Sequence, residues 1–391
     1  MTTQLSKAQQ KRVAKLADAV TDTLDELFSD DLHVKRIESL GNATIGLLGS
    51  AKAGVHAIGI GLAHVRGLRQ KHAIKQVDRL FSNAAIEPWK LFALWVPHVL
   101  AQRPEAVVAL DWTDFDADGQ TTLALSLITS HGRATPLIWK TIRKSELAGN
   151  RSAIEDQVIE RFLEVAPNDI RLTLLADRGF ADQALFELLE AWGLKYVIRM
   201  RGNVLVEQDG VAKKASERVT LSGRPVKFKN VRITKDRTEV PAVVCTRAAK
   251  MKEAWCLVTN RRDLSATEIV KAYGRRFTIE ESFRDLKDPH FGFGVSQARI
   301  DSPERRDRLL LVAALATAML TLLGAAGDML GYEKWLKANT SKKRTYSFLR
   351  QGLMYYAQIP MMKETELRPL LDKFAELMLE HALFTQVVGV L

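Results

Sequence analysis

Three acidic residues of this sequence have neighbours that suit a metal site. Asp111 and Asp177 each come directly after a short apolar run, and Glu280 lies within the amphipathic segment Tyr273–Lys287. Carboxylates without histidine or thiolate partners favour Mg²⁺ or Mn²⁺. Two such ions about 4 Å apart can activate a water or a 3′-hydroxyl in phosphoryl transfer. The three acids therefore predict metal-dependent chemistry on phosphodiesters.

Aromatic and basic residues flank Glu280 at helical spacing. At about 100° per residue, one face of a single helix would carry four side chains: Tyr273, Arg276, Glu280 and Lys287. Ser265 and Glu268 form a capping-box pattern upstream, and Pro289 ends the helix downstream. The alternative is an ordinary amphipathic helix with solvated ion pairs.

The elements that would position these acids alternate in type. Short apolar segments and helical periodicity predict strands at 106–112, 123–129, 135–141, 172–180 and 195–201, with helices at 153–165 and 181–192. The order β-β-β-α-β-α-β is that of a ribonuclease H-like fold. In that fold the strands preceding Asp111 and Asp177 are neighbours. The predicted class is α+β, a mixed sheet with helical regions on both sides in sequence.

The N-terminal region is helical and basic. Glycines interrupt the helical pattern within residues 50–83, and a series of cations follows, among them Lys71, Lys75 and Arg79. One interpretation is a helix-turn-helix whose later helix enters the major groove of DNA while the cations hold phosphates. The other is a small helical bundle with an exposed basic face. The sequence leaves both open.

Composition limits the classes of partner and compartment. The formal charge is +11 and the pI is about 9.5, which favours a nucleic-acid partner over the alternative of a membrane surface. Two cysteines and no metal-ligand spacing argue for a reducing compartment and against structural zinc. The uncharged segment Leu309–Ala326 has 18 residues, enough for a membrane span. Its small residues and charged flanks favour a buried helix, so we expect a cytoplasmic protein.

These residues also carry a family resemblance. The spacing Y-x2-R-x3-E-x6-K of Tyr273, Arg276, Glu280 and Lys287 is the signature of the insertion-sequence-four family of bacterial DDE transposases. The segments ALDWTDF, LADRGF, AWCLVTN and IEESFRDLK are similar to that family too, closest to its transposon-ten branch. The resemblance extends from KQVDRLFSN to FGFGVSQARIDSPERRD and covers most of the chain.

The resemblance implies roles for individual residues. Asp111, Asp177 and Glu280 would be the metal-binding triad for two Mg²⁺ ions, with Mn²⁺ able to substitute. Tyr273, Arg276 and Lys287 would hold phosphates of the transposon end. Trp255 would stack on a base flipped from that end, although a core indole is the alternative. Further phosphate contacts at strand ends would come from Arg178, Arg199 and Arg201, each of which could equally form a surface ion pair.

A domain order and a function follow from the same resemblance. Asp177 and Glu280 are 103 positions apart, so the core must contain an insertion, which reads as β. We predict a DNA-end-binding domain (1–88), a catalytic core in two parts (89–201 and 263–300), a β insertion (202–262) and a helical C-terminal region (301–391). The expected protein is a cut-and-paste transposase that acts on inverted-repeat ends and target DNA in the bacterial nucleoid, as a homodimer on DNA. Alternatives are a DNA-binding regulator descended from a transposase and a nuclease without strand transfer.

Overall fold

The chain is built around one sheet of ten strands, in the order β3-β2-β1-β4-β5-β10-β9-β8-β6-β7. The computed structural model describes residues 7–101, 103–249 and 251–379. The strands are β1 Glu105–Phe115, β2 Gln120–Ile128, β3 Ala134–Arg143, β4 Arg171–Ala176, β5 Lys195–Met200, β6 Leu205–Gln208, β7 Val211–Lys214, β8 Val226–Ile233, β9 Thr238–Thr246 and β10 Trp255–Thr259.

Helices cover the sheet and form the first and last elements of the described residues. They are α1 Lys7–Phe28, α2 Val34–Ser50, α3 Val55–Arg66, α4 Gln70–Ser82, α5 Pro88–Leu100, α6 Arg151–Val165, α7 Gln183–Ala191, α8 Ala266–Gly274, α9 Phe277–Lys287, α10 Pro303–Met329, α11 Phe348–Gln358 and α12 Glu364–Leu379. The predicted α+β class with flanking helical regions is confirmed.

The first five strands form the part of the sheet that carries the first two acids. β1, β2 and β3 are antiparallel neighbours, whereas β4 and β5 run parallel to β1. The predicted element order is therefore confirmed. β1 is longer than expected, because its pairing with β2 continues to Phe115. Its parallel pairing with β4 stops at Leu110 opposite Ala176.

The strands of residues 202–262 continue the same sheet. β10 pairs antiparallel with β5 and with β9, and β8, β6 and β7 follow outward. The β character predicted for this stretch is confirmed. These strands are hydrogen-bonded to the core sheet through the pairing of β10 with β5. That they form a separate inserted domain stays a prediction.

The predicted single helix through Tyr273 and Lys287 is wrong in one respect, since it is two helices. α8 ends at Gly274, and α9 begins at Phe277 after a turn at Arg275 and Arg276. Glycine costs about 1 kcal/mol in a helix interior relative to alanine, which favours a break there. The flanking signals are confirmed: Ser265 and Glu268 form the capping box, and α9 stops before Pro289.

Helix α10 is the central helix of the C-terminal region. It is long and apolar enough to cross a membrane, yet 94% of its apolar window is buried inside the fold, so the predicted buried helix is confirmed. Within the described residues, the only further candidate span is the bent pair of α2 and α3.

Three arginines near the start of α10 bind two other parts of the chain. Arg305 forms an ion pair with Asp78 of α4 at 2.8 Å. Arg308 donates to two backbone carbonyl oxygens, one near the end of α4 and one in the turn that follows it. Arg306 is fully buried and pairs with Asp118, in the turn after β1. α10 thereby fixes both α4 and the end of β1.

Candidate active site

Asp111 and Asp177 lie side by side where the parallel pairing of β1 and β4 ends, at the carboxyl ends of these strands. We call this position the acid edge. Asp177 directly follows the last residue of β4, and Asp111 is the first β1 residue beyond the parallel pairing with β4. Backbone amides hold both carboxylates: Trp112 N donates to Asp111 Oδ1 at 2.9 Å, and Gly179 N donates to Asp177 Oδ1 at 2.7 Å. The sequence-based expectation that the two acids are neighbours agrees with this placement.

Arg276 links Asp111 to Glu280. Its Nη1 lies 3.0 Å from Asp111 Oδ2, and its Nη2 lies 2.5 Å from Glu280 Oε1. The Arg276 side chain is 6% exposed, whereas that of Glu280 is 49% exposed. The turn between α8 and α9 brings this guanidinium to the acid edge. Both of its terminal nitrogens are therefore engaged by carboxylates within the protein.

The environment of Asp111 disfavours its charge. Burial raises the pKa of Asp111 to about 6, against the opposing effect of Arg276, and Asp177 and Glu280 add to the rise. Nearby positive charge and hydrogen bonds, such as the one from Trp112 N, favour the anion of such a carboxylate. In this structure that charge is Arg276.

The donor chemistry of the three acids fits a hard divalent cation, since all their side-chain ligand atoms are carboxylate oxygens. As the side chains lie, however, no three His, Cys, Asp or Glu residues in the described ranges are grouped closely enough to hold one. Arg276 binds one oxygen of each of two of these acids, Asp111 Oδ2 and Glu280 Oε1.

Tyr273 and Trp255 form an aromatic wall beside Arg276. Trp255 packs edge-on against Tyr273 with ring centroids 5.0 Å apart, and tilted against Phe277 at 5.9 Å. Tyr273 is buried, and burial raises the pKa of its hydroxyl. Trp255 is only half-buried, at the start of β10. The ring of Trp255 is thus neither a fully enclosed core indole nor a free surface ring.

Lys287 lies at the far end of α9 and contacts β1. Its Nζ donates to the Asp114 carbonyl at 2.6 Å and to Thr113 Oγ1 at 3.2 Å. Burial lowers the pKa of Lys287. Two of the signature residues, Arg276 and Lys287, therefore contact β1 between Asp111 and Asp114.

The three strand-end arginines differ in their surroundings. Arg178 and Arg199 both pair with Glu253, at 3.2 and 2.7 Å. Arg199 is the more buried of the two, and its Nε has no hydrogen-bond partner in the described part of the chain. Arg201 is exposed directly after β5. The ion-pair alternative describes the first two as they lie here.

The basic residues predicted for the N-terminal region form a stripe on α4. Lys71, Lys75 and Arg79 are all exposed at intervals of one helical turn. Their helix packs against α3 so closely that a Cβ on Gly59 would lie 2.5 Å from Ile74 Cα. A turn at Gly67 joins the two helices. The arrangement is compatible with a helix-turn-helix and with a bundle bearing a basic face.

Sequence reasoning missed one cation at the acid edge. Arg151, at the start of α6, lies between the rings of Trp112 and Phe180 and pairs with Glu155 at 2.8 Å. The spacing of Arg151 and Glu155 was visible as an i,i+4 pair, but such pairs are common on solvated helices. Only the fold shows that this one lies beside Trp112, which follows Asp111, and beside the loop of Asp177.

One comparison with known proteins identifies a family for this chain. A sequence model of the family described as "Transposase DDE domain" matches residues 102–318, more than half of the chain. No curated protein matches. One solved structure with some likeness is the Argonaute of Marinitoga piezophila in complex with 5′ OH guide RNA and target DNA. It has 11% identity and a TM-score of 0.21, over 63% of this chain and 34% of that one, and carries no weight here. On the family match, this chain belongs to the transposase DDE domain family.

Proposed function

We propose that this protein is a cut-and-paste DNA transposase of the insertion-sequence-four type. It would bind inverted-repeat ends, cleave them through a hairpin and join the freed 3′ ends to target DNA in the bacterial cytoplasm. The observation that supports the proposal is that Asp111 and Asp177 follow paired positions of two parallel strands, while Arg276 binds both Asp111 and Glu280. Membership of the transposase family supports it.

In this proposal Asp111, Asp177 and Glu280 hold two Mg²⁺ ions, for which Mn²⁺ could substitute. Bound there, such ions would activate the attacking oxygen and neutralise charge on the departing one. The protein's own part is to position the DNA strand and to keep the acids ionised. One set of acids can serve nicking, hairpin formation and joining, because each is an in-line attack on a phosphodiester.

Arg276 has two successive partners in this proposal. Without DNA it neutralises Asp111 and Glu280, and on DNA binding a phosphate of the transposon end takes its guanidinium. Guanidinium groups bind carboxylate and phosphate with the same fork geometry. Tyr273 and Lys287 would support the same strand, and Trp255 would stack on a flipped base, a contact worth about 1–3 kcal/mol.

The remaining contacts are proposed to hold the rest of the DNA. The α4 stripe would bind the transposon end outside the cleavage site, and Arg178, Arg199 and Arg201 would contact phosphates near the acids. Two subunits would join two ends in one complex. The alternatives of a regulator without chemistry and of a nuclease without strand transfer make different predictions below.

The test uses a labelled duplex carrying the DNA that flanks the reading frame, with Mg²⁺ or with EDTA. We expect wild type to nick this duplex and then form a hairpin when Mg²⁺ is present. Glu280→Gln removes the charge that the proposal requires, so this variant is expected to bind the duplex and leave it uncut.

The matched control is Glu281→Gln, which changes the adjacent residue on α9. Glu281 pairs with Arg284 on the helix surface and makes no contact with Asp111. We expect it to cleave as wild type does. Binding without cleavage by every protein would favour the regulator, and cleavage without joining would favour the nuclease.

A further inference from the structure

Arg151 is a cation near the acid edge, and the protein uses only part of the hydrogen-bonding capacity of its guanidinium. Its Nε donates to Glu155 Oε1 at 2.8 Å, and its side chain is 45% exposed. Neither of its Nη nitrogens has a hydrogen-bond partner among the residues that the structure describes. Arg276 differs in this respect, because both of its Nη nitrogens bind carboxylates.

The guanidinium of Arg151 is held in place by groups that flank the two acids. It lies 5.7 Å from the ring centroid of Trp112, which follows Asp111, and 5.7 Å from that of Phe180, in the loop after Asp177. Trp112 Nε1 also donates to Glu155 Oε1, at 2.7 Å. Glu155 is buried, with a side chain 8% exposed. The orientation of Arg151 is therefore preorganised by packing and hydrogen bonding.

The free side of Arg151 reaches the loop that carries Asp177. A Cβ placed on Gly179 would lie 3.3 Å from Arg151 Nη2 and 3.0 Å from Asp177 Oδ1. A side chain at position 179 would crowd both groups, so glycine leaves room there. That space is too small for a phosphate, so an anion would meet Arg151 on the solvent-exposed part of its side chain, which is 45% exposed.

Arg151 and Arg276 approach the acids from opposite faces of the sheet. α6 packs with Val158 and Phe162 in the cluster that contains Leu110. α8 and α9 pack with Tyr273 and Ile279 in the cluster that contains Ala109. Because successive strand residues point to opposite faces, these are the two sides of β1.

We propose that Arg151 is a phosphate-contact residue that binds a phosphodiester of the DNA strand at the acid edge, opposite Arg276. Its two Nη nitrogens form the planar fork that matches non-bridging phosphate oxygens. Glu155 and Trp112 act as positioning residues that hold this fork. The inference rests on the proposed function, since it takes DNA as the ligand of this edge.

The experiment uses the full chain, in EDTA, and the flanking-DNA duplex described above. Single phosphates near the cleaved bond are replaced in turn by uncharged methylphosphonates, and the dissociation constant is measured by fluorescence anisotropy. We expect one position at which the replacement weakens wild-type binding about tenfold or more, as for loss of a charged hydrogen bond. Arg151→Gln should weaken binding of the unmodified duplex by a similar factor and be insensitive to that replacement.

Two further variants make the result specific. Arg171→Gln changes an exposed, ion-paired arginine at the opposite end of β4, and we expect it to keep the wild-type pattern. Arg151→Lys keeps the charge without the fork, and we expect an intermediate loss at the same position. The thermal unfolding of each variant shows whether it is folded. If Arg151→Gln does not fold, the comparison of Arg151→Lys with wild type decides.

The inference is overturned if every methylphosphonate costs the same in wild type and in the folded Arg151 variants. In that case Arg151 only braces the Asp177 loop. The proposed function fails separately, when wild type does not cleave in Mg²⁺. Position-specific loss without cleavage would therefore support the Arg151 contact while refuting the transposase chemistry.

Discussion

Replacing Arg276 tests the central electrostatic feature of the acid edge. Arg276→Gln leaves the largely buried Asp111, whose side chain is 18% exposed, and the half-exposed Glu280 without their shared cation. Breaking a buried ion pair costs about 3–5 kcal/mol, but solvent screens the Glu280 side of this arrangement. We therefore expect unfolding in EDTA to become easier by about 3 kcal/mol, or on the order of 5 °C in Tm.

The same substitution should strengthen binding of a divalent cation, because the competing guanidinium is gone. A tenfold gain in affinity would stabilise the variant by about 1.4 kcal/mol more than wild type at a saturating metal concentration. The assay is thermal unfolding with and without Mn²⁺, together with calorimetric titration of Mn²⁺. Neither readout requires DNA cleavage.

Arg275→Gln is the matched control, since Arg275 lies in the same turn and makes no ion pair in the described structure. It should unfold and bind Mn²⁺ as wild type does. The reasoning is refuted if Arg276→Gln is as stable as this control in EDTA, or if Mn²⁺ stabilises all three proteins equally.

Three other changes test separate parts of the fold. Burial, with the nearby cations, lowers the pKa of His131 to about 4 from 6.5, so its contribution to the free energy of unfolding is full above pH 6.5 and is lost as the pH falls to 4. In urea unfolding, His131→Phe should reduce this acid-induced loss by up to roughly 3 kcal/mol, whereas His72→Phe, at an exposed site, should not. Gly61→Ala should destabilise the protein by about 1–3 kcal/mol, because its Cβ would lie 2.2 Å from Gly46 O. Gly274→Ala, where a Cβ would meet open space, should be neutral or slightly stabilising. Equal melting temperatures of the two variants would contradict the close packing of α3 on α2. Lys75→Ala should weaken DNA binding and reduce the slope of log binding constant against log salt concentration by about 0.9. An unaltered slope would show that Lys75 binds no phosphate.

The sequence predicts the features that depend on local pattern. The order of strands and helices along the chain, the capping box at Ser265 and the burial of α10 follow from periodicity, side-chain chemistry and composition within short windows. The neighbourhood of Asp111 and Asp177 follows from the strand order, because parallel strands bring their carboxyl ends to one edge. These elements needed no long-range information beyond topology.

Long-range contacts account for what the sequence did not predict. The binding of Arg276 to Asp111 joins residues distant in sequence, and helical spacing alone favoured one straight helix despite the glycine at 274. β propensity in residues 202–262 could not indicate which sheet edge those strands extend. In the sequence, Arg151 and Glu155 have the i,i+4 spacing of an ordinary surface pair, and only the fold places Arg151 beside Trp112.

The arginines at the start of α10 have a consequence for how a cut site is measured. Arg305 and Arg308 bind α4 and its following turn, and Arg306 binds the turn after β1. The start of α10 thus joins the helix of the basic stripe directly to the turn that follows β1. If α4 holds the transposon end, these contacts fix the number of base pairs between the bound and the cleaved DNA. Sliding the recognised sequence by even one base pair would then rotate the scissile phosphate away from the acids.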